Sequence, residues 1–144
     1  MSELNSLLDQ TTEDVLENMF FSGIMGEMQE EAGGERLFAT VAFSGSSGGR
    51  LSVSAPASTA AVLAAGFVGE EDGSVSDSQV RAVVGELANV LCGAVLGRMN
   101  PAGHFVISAP EVSDTECEGA VRDMEIQRHF EIVEGDLAVG LSVH

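Results

Sequence analysis

SDSQVRAVVGELANVLCGAVLGRMN, residues 76–100, is the stretch whose reading decides the architecture. It opens on a capping box: Ser76 stands before a helical run and Gln79, three residues on, can reach back to the cap. It stops near Met99, because Asn100 precedes Pro101 and that junction disfavours helical geometry. Val80, Val83, Val84, Leu87, Ala88, Val90, Leu91, Ala94 and Val95 spread over most of the helix circumference. A helix so apolar is a core element and needs another layer to bury against. Between Ala82 and Gly97 the charged or amide side chains are Glu86 and Asn89 alone. Three apart, they project from one face about one turn from each other. The rest of that stripe is small: Ala82, Gly93 and Gly97. A glycine in a helix interior costs roughly 1 kcal/mol relative to Ala, which close approach of another surface would account for.

Outward from this helix, short strands and helices alternate. Thr12–Met19 reads as a short helix with Thr11 or Thr12 as its N-cap and acidic residues in the first turn. An acidic loop follows over Gly26–Arg36. Leu37–Phe43 and Arg50–Ser54 read as strands joined by the Ser- and Gly-rich turn Ser44–Gly49. Pro56 is suited to the first position of an Ala-, Val- and Leu-rich helix running to about Ala65 and ended by Gly66 and Gly69. Beyond the long helix, Phe105–Ala109 is a short strand. Glu125–Val133 and Leu137–Val143 alternate as an antiparallel hairpin about Glu134-Gly135-Asp136. The order αββααβββ predicts an α+β fold over residues 1–144, a single domain with an antiparallel sheet packed against helices.

Composition narrows the function. A chain of 144 residues that is 44% hydrophobic can bury a core as one domain. Its formal net charge of −17, with only 6 Lys and Arg, argues against a nucleic-acid partner and against an anionic membrane surface. Met1–Gln10 lacks the basic start and apolar core of a signal peptide, and no apolar run approaches the ~20 residues of a membrane span. A cytoplasmic protein is expected. Cys92 and Cys117 have no CxxC spacing and read as reduced thiols. Absence of Trp and Tyr removes the usual aromatic platforms for sugars and bases.

Other motifs weigh little. His104, His129 and His144 match no metal-ligand spacing. Ser44–Gly49 lacks the Gly-Lys-Ser/Thr ending of a phosphate loop. Its letters Gly45-Ser46-Ser47-Gly48-Gly49 spell GxSxG, yet a strand follows where a nucleophile elbow needs a helix. The acidic clusters Glu27–Glu31 and Glu70–Asp72 fit no EF-hand pattern and read as solvated loops.

The segment Val84-Gly85-Glu86-Leu87-Ala88-Asn89-Val90-Leu91-Cys92-Gly93-Ala94 resembles the active helix of the CheC, CheX and FliY chemotaxis phosphatases, which carries Glu-x-x-Asn. ELAN followed by small residues and Gly is closest to CheX-like domains. Glu13-Asp14-Val15-Leu16-Glu17-Asn18-Met19-Phe20 looks like the first helix of such domains, and the order of hairpin, Ala-rich helix and closing hairpin is the family's. Glu17 and Asn18 are adjacent, so the first helix supplies no second motif, as suits a CheX-like member. The resemblance implies a protein phosphatase whose substrate is the phospho-aspartate of a CheY-like response regulator. It implies that Glu86 and Asn89 are catalytic: Asn89 holds the attacking water, while Glu86 docks on the regulator's active-site Lys and Gly93 lets the partner approach. It implies no cofactor of the chain's own, Mg²⁺ being bound by the regulator, and it implies a homodimer, for which exposed sheet edges offer a route. Two departures, Ala82 where relatives often have Asp or Ser and Ala94 where many have Asn, favour an alternative. That alternative is a non-catalytic module binding a receiver domain or flagellar component. A third reading, a purely structural dimer domain, would bury the Glu86–Asn89 face in its own interface.

Overall fold

A computed structural model describes residues 2–28, 35–71, 73–114, 121 and 124–144. The elements in chain order are α1 (Ser2–Met19), β1 (Ile24–Met28), β2 (Arg36–Gly45), β3 (Gly49–Pro56), α2 (Ala57–Val68), α3 (Asp77–Met99), β4 (Phe105–Ile107), β5 (Glu111–Ser113), β6 (Ile126–Ile132) and β7 (Gly135–Val143). The strands form one antiparallel seven-stranded sheet in the order β1-β6-β7-β3-β2-β4, with β5 also on β2. The predicted α+β class and helix-backed antiparallel sheet are what the chain adopts.

Register follows from the period-two pattern. Ala39 stands opposite Val53, Val41 opposite Leu51, and Val139 opposite Val53 on the far side. Leu37, Phe43, Leu137, Leu141, Phe130 and Ile132 share that inner face, and the helices cover it. α3 lies centrally, against β2, β3, α1 and α2. By length and composition α3 is long and apolar enough to cross a bilayer, contrary to the sequence expectation of no such run. Here it is the core helix, with Val84, Leu87, Ala88, Leu91, Val95 and Leu96 each under 5% exposed.

Three expectations are corrected. α1 begins at Ser2, so neither Thr11 nor Thr12 is an N-cap. Both are buried in the helix, where their hydroxyls donate back to the Leu7 and Leu8 carbonyls at 2.7 Å. That back-bonding removes the penalty for a buried hydroxyl, and Leu4, Leu8, Val15 and Leu16 continue one apolar face. β1 occupies residues expected as loop or left unassigned; β6 pairs with it across an irregularity between Ile24 and Gly26. The strand expected over Phe105–Ala109 is two short strands, β4 and β5, separated by Ser108–Pro110. Residues 29–34 of the acidic stretch, and Cys117, fall outside the described residues, and Arg36 at its end is the first residue of β2.

The turns and caps fall slightly off their expected positions: the closing hairpin turns at Val133 and Glu134, with Gly135 and Asp136 already paired in β7. Pro56 is the N-cap of α2 rather than its first residue, and Gly69 closes that helix in the left-handed conformation at φ 75°. Helical geometry therefore runs past Gly66 to Val68. Cys92 is a buried free thiol, pushed up to about 12 by burial alone.

Candidate functional site

The site begins at the N-terminus of α3. Ser76 Oγ accepts the Gln79 N–H at 3.3 Å and Gln79 Oε1 accepts the Ser76 N–H at 3.0 Å, so the predicted capping box is formed. The far end closes where the Asn100 N–H donates to the Leu96 carbonyl, just before Pro101. Between these ends the apolar positions are drawn into the core, which turns Ala82, Glu86, Asn89, Gly93 and Gly97 outward. Ala82, Glu86, Gly93 and Gly97 are exposed, and Asn89 is half-buried. Glu86 and Asn89 stand one turn apart, about 4.5 Å along the axis.

The small residues differ in what surrounds them. A Cβ on Gly85, one step off the stripe, would lie 3.1 Å from Pro110 Cγ and 3.3 Å from Val112 Cγ2. There the glycine serves the chain's own packing, letting the β4–β5 segment close against α3. On Gly93 an added Cβ would meet only Ile107 Cδ1 at 3.9 Å, and on Gly97 nothing within 4 Å. Those two glycines answer to no neighbour within the described residues. They leave a flat strip, bordered by Ile107 and Pro110, open to an incoming surface.

Electrostatics isolate Glu86. Both arginines of α3 are paired elsewhere: Arg81 with Asp114 at 3.3 Å, and Arg98 with Asp14 at 2.6 Å. The Arg98 hydrogen bond holds the Asp14 carboxyl below the usual carboxylate range. Among the described residues neither Glu86 nor Asn89 has a hydrogen-bond or ion-pair partner. A carboxylate and a carboxamide, side by side and unsatisfied, can together take a cation and a water molecule. No group of three His, Cys, Asp or Glu among the described residues is placed to hold a metal ion.

The predicted site residues Glu86, Asn89 and Gly93 are thus brought onto one accessible strip of one helix. Ala94 is turned to the side and packs against the core, so of the two departures only Ala82 lies on the strip. What the sequence reading missed is the border made by Ile107 and Pro110. Pro110, which cannot donate to a ladder, was the available signal for a strand break there.

The α+β fold, an antiparallel sheet backed by helices, is shared with CheX, CheC-like and FliY proteins of solved structure. The family model described as Chemotaxis phosphatase CheX matches residues 37–125, more than half of the chain, and the chain belongs to that family. The chemotaxis protein CheX of Desulfovibrio desulfuricans is similar in structure, with a TM-score of 0.75 at 18% identity over 99% of each chain. CheX of Vibrio vulnificus has a TM-score of 0.78 at 17% identity over 99% of this chain and 97% of its own. The CheX–CheY–BeF3–Mg complex of Borrelia burgdorferi contributes a chain with a TM-score of 0.72 at 15% identity, covering 96% of each. No curated protein sequence matches the chain.

Proposed function

We propose that the protein is a phosphatase of phosphorylated CheY-like response regulators, acting through the Glu86–Asn89 strip of α3. The observation that carries this reading is the pair itself: two polar side chains without partners among the described residues, on a strip of small residues within a helix otherwise committed to the core. Membership of the CheX family supports it, as does a structurally similar chain from a complex containing CheY.

On this reading Glu86 accepts the ammonium of the regulator's active-site Lys and sets the helix in register. Asn89, one turn on, holds a water with its amide, in line with the phosphorus–oxygen bond to the aspartyl carboxylate. The water oxygen bonds to phosphorus as that bond breaks, giving inorganic phosphate and a free Asp carboxylate on the regulator. Such a reaction needs positioning more than a titrating base, and orientation can supply several kcal/mol of the barrier. Mg²⁺ would be held by the regulator's own carboxylates, which puts no demand for a metal site on this chain. Gly93 and Gly97 allow the regulator's loops to approach the helix backbone. The same reading puts the protein in the cytoplasm, with its substrate.

Phosphate release from a phosphorylated regulator tests this. Wild-type protein is expected to accelerate release, Asn89→Ala to lose roughly 10²-fold or more of that acceleration while still binding, and Glu86→Ala to lose binding. Binding by wild type without acceleration would overturn the enzyme reading and leave the non-catalytic receiver-binding module, which the exposed Ala82 favours.

A homodimer is also proposed. β1 is one edge strand of the sheet, and it carries exposed Met25 (67%) with exposed Val133 (65%) nearby. Unpaired strand edges carrying apolar side chains are natural pairing sites. Sedimentation equilibrium should give twice the 14.9 kDa chain mass, and the monomer for a Met25→Lys/Val133→Glu variant.

A further inference from the structure

Arg36, Arg81, Arg98 and Arg128 are each ion-paired to a carboxylate. Arg50, on the outer sheet face, is the described arginine without such a partner, in a chain whose formal net charge is −17. It is exposed and lines a groove of about 500 Å³ together with Phe38, Thr40, Ala42, Ser108 and Glu111. The groove exists because the edge strand is broken. β4 ends at Ile107, and Ser108 keeps contact with β2 by donating its N–H to the Ala42 carbonyl and accepting the Ala42 N–H on Oγ. Ala109 and Pro110 then leave the ladder before β5 resumes it at Glu111.

Two opposite charges face this groove without neutralising each other. Arg50 is opposite Ala42, and Glu111 is opposite Thr40. The charges therefore flank β2 two strands and two residues apart, roughly 12 Å between Cα atoms from ordinary strand spacing and rise. Like Arg50, Glu111 is exposed and has no ion-pair partner among the described residues.

We propose that this groove binds a free α-amino acid with an apolar side chain. Its carboxylate takes the Arg50 guanidinium, its ammonium takes Glu111, and its side chain lies against Phe38 and Ala42. The volume lies within the roughly 300–1,000 Å³ of small-molecule sites. A planar guanidinium recognises a carboxylate through two parallel hydrogen bonds. A phosphate or dicarboxylate would meet Glu111 and the negative field of the whole chain, while an amine would leave Arg50 unpaired. A zwitterion is neutral overall and satisfies both groups. The groove opens on the sheet face away from α3, so this inference does not rest on the phosphatase reading.

Isothermal titration of the full chain with leucine and with phenylalanine tests it, using N-acetyl-leucine, 3-methylbutylamine and inorganic phosphate as comparison ligands. At least one of the two amino acids should bind saturably with Kd at or below about 1 mM. Arg50→Gln and Glu111→Gln should each weaken it about 10-fold or more without lowering Tm, since both side chains are exposed. Hydrogen exchange should show protection confined to residues 38–42 and 108–113. Absence of saturable binding of both amino acids by wild type would overturn the proposal. So would equal binding of N-acetyl-leucine, 3-methylbutylamine or phosphate, or binding indifferent to both substitutions.

Discussion

Arg36 lies across the outer face of three strands and shows what one side chain can be asked to hold. Its Nε donates to Ser54 Oγ at 2.8 Å, Nη2 to the Ser54 carbonyl at 3.1 Å, and Nη1 to Asp136 Oδ2 at 2.9 Å. Both members of the ion pair are buried, at 6% and 10% side-chain exposure. A buried pair adds little over an apolar replacement, but removing one partner strands the other charge. Asp136→Ala should therefore cost about 3–5 kcal/mol in urea denaturation, while a surface acid such as Glu17 can be replaced within about 0.5 kcal/mol. Asp14 makes a prediction about pH. Its folded-state pKa lies below 3.8, held there by Arg98, so its contribution is present above that value and fades as pH falls through the lower folded value. The Tm difference between wild type and Asp14→Asn should accordingly be constant from neutral pH to about pH 5 and shrink below pH 4.

For α3 as an element, stability and function pull on the same glycines in opposite directions. Gly93→Ala and Gly97→Ala add a methyl where nothing of the described chain crowds it, and each should raise stability by up to about 1 kcal/mol. On the proposed function the Gly93 methyl also lifts the incoming regulator off the helix, so binding should weaken while Tm rises. A Gly93→Ala variant that is stabilised and binds the regulator normally would remove Gly93 from the docking surface. Gly85→Val, forced against Pro110 and Val112, should instead lower Tm and disturb the β4–β5 segment. At the helix start, Ser76→Ala removes the side-chain half of the capping box and should cost about 1 kcal/mol.

At the scale of the whole molecule the dominant feature is charge. A formal net charge of −17 on 144 residues destabilises the compact state through self-repulsion. Raising ionic strength from about 10 mM to about 150 mM shortens the screening length to about 8 Å and should raise Tm measurably, without change in the circular-dichroism spectrum. The same field should slow encounter with an acidic partner at low salt, so the association rate with a regulator of net negative charge should rise with salt.

Much of this was legible one residue at a time. α3, its capping box, its stop before Pro101 and the Glu86–Asn89 strip follow from local rules: a 3.6-residue period, a Ser with Gln three on, and a Pro that forbids continuation. The hairpins β2–β3 and β6–β7 were likewise visible in alternation. What local rules could not decide was where tertiary contact overrides preference. Thr11 and Thr12 have the chemistry of a cap, and only the burial of Leu4 and Leu8 against the core makes them helix interior. β1, broken in register between Ile24 and Gly26, and β5, three residues long, are weak strands alone; β6 and β2 supply the ladder that makes them so. The Arg50–Glu111 groove exists in no window of sequence, since its two charges lie sixty-one positions apart. The sequence by itself determined the core helix and the candidate site on it, because both rest on contacts within a few turns. Only the tertiary structure decided the sheet edges and the outer groove, because those depend on which distant strands come to lie side by side.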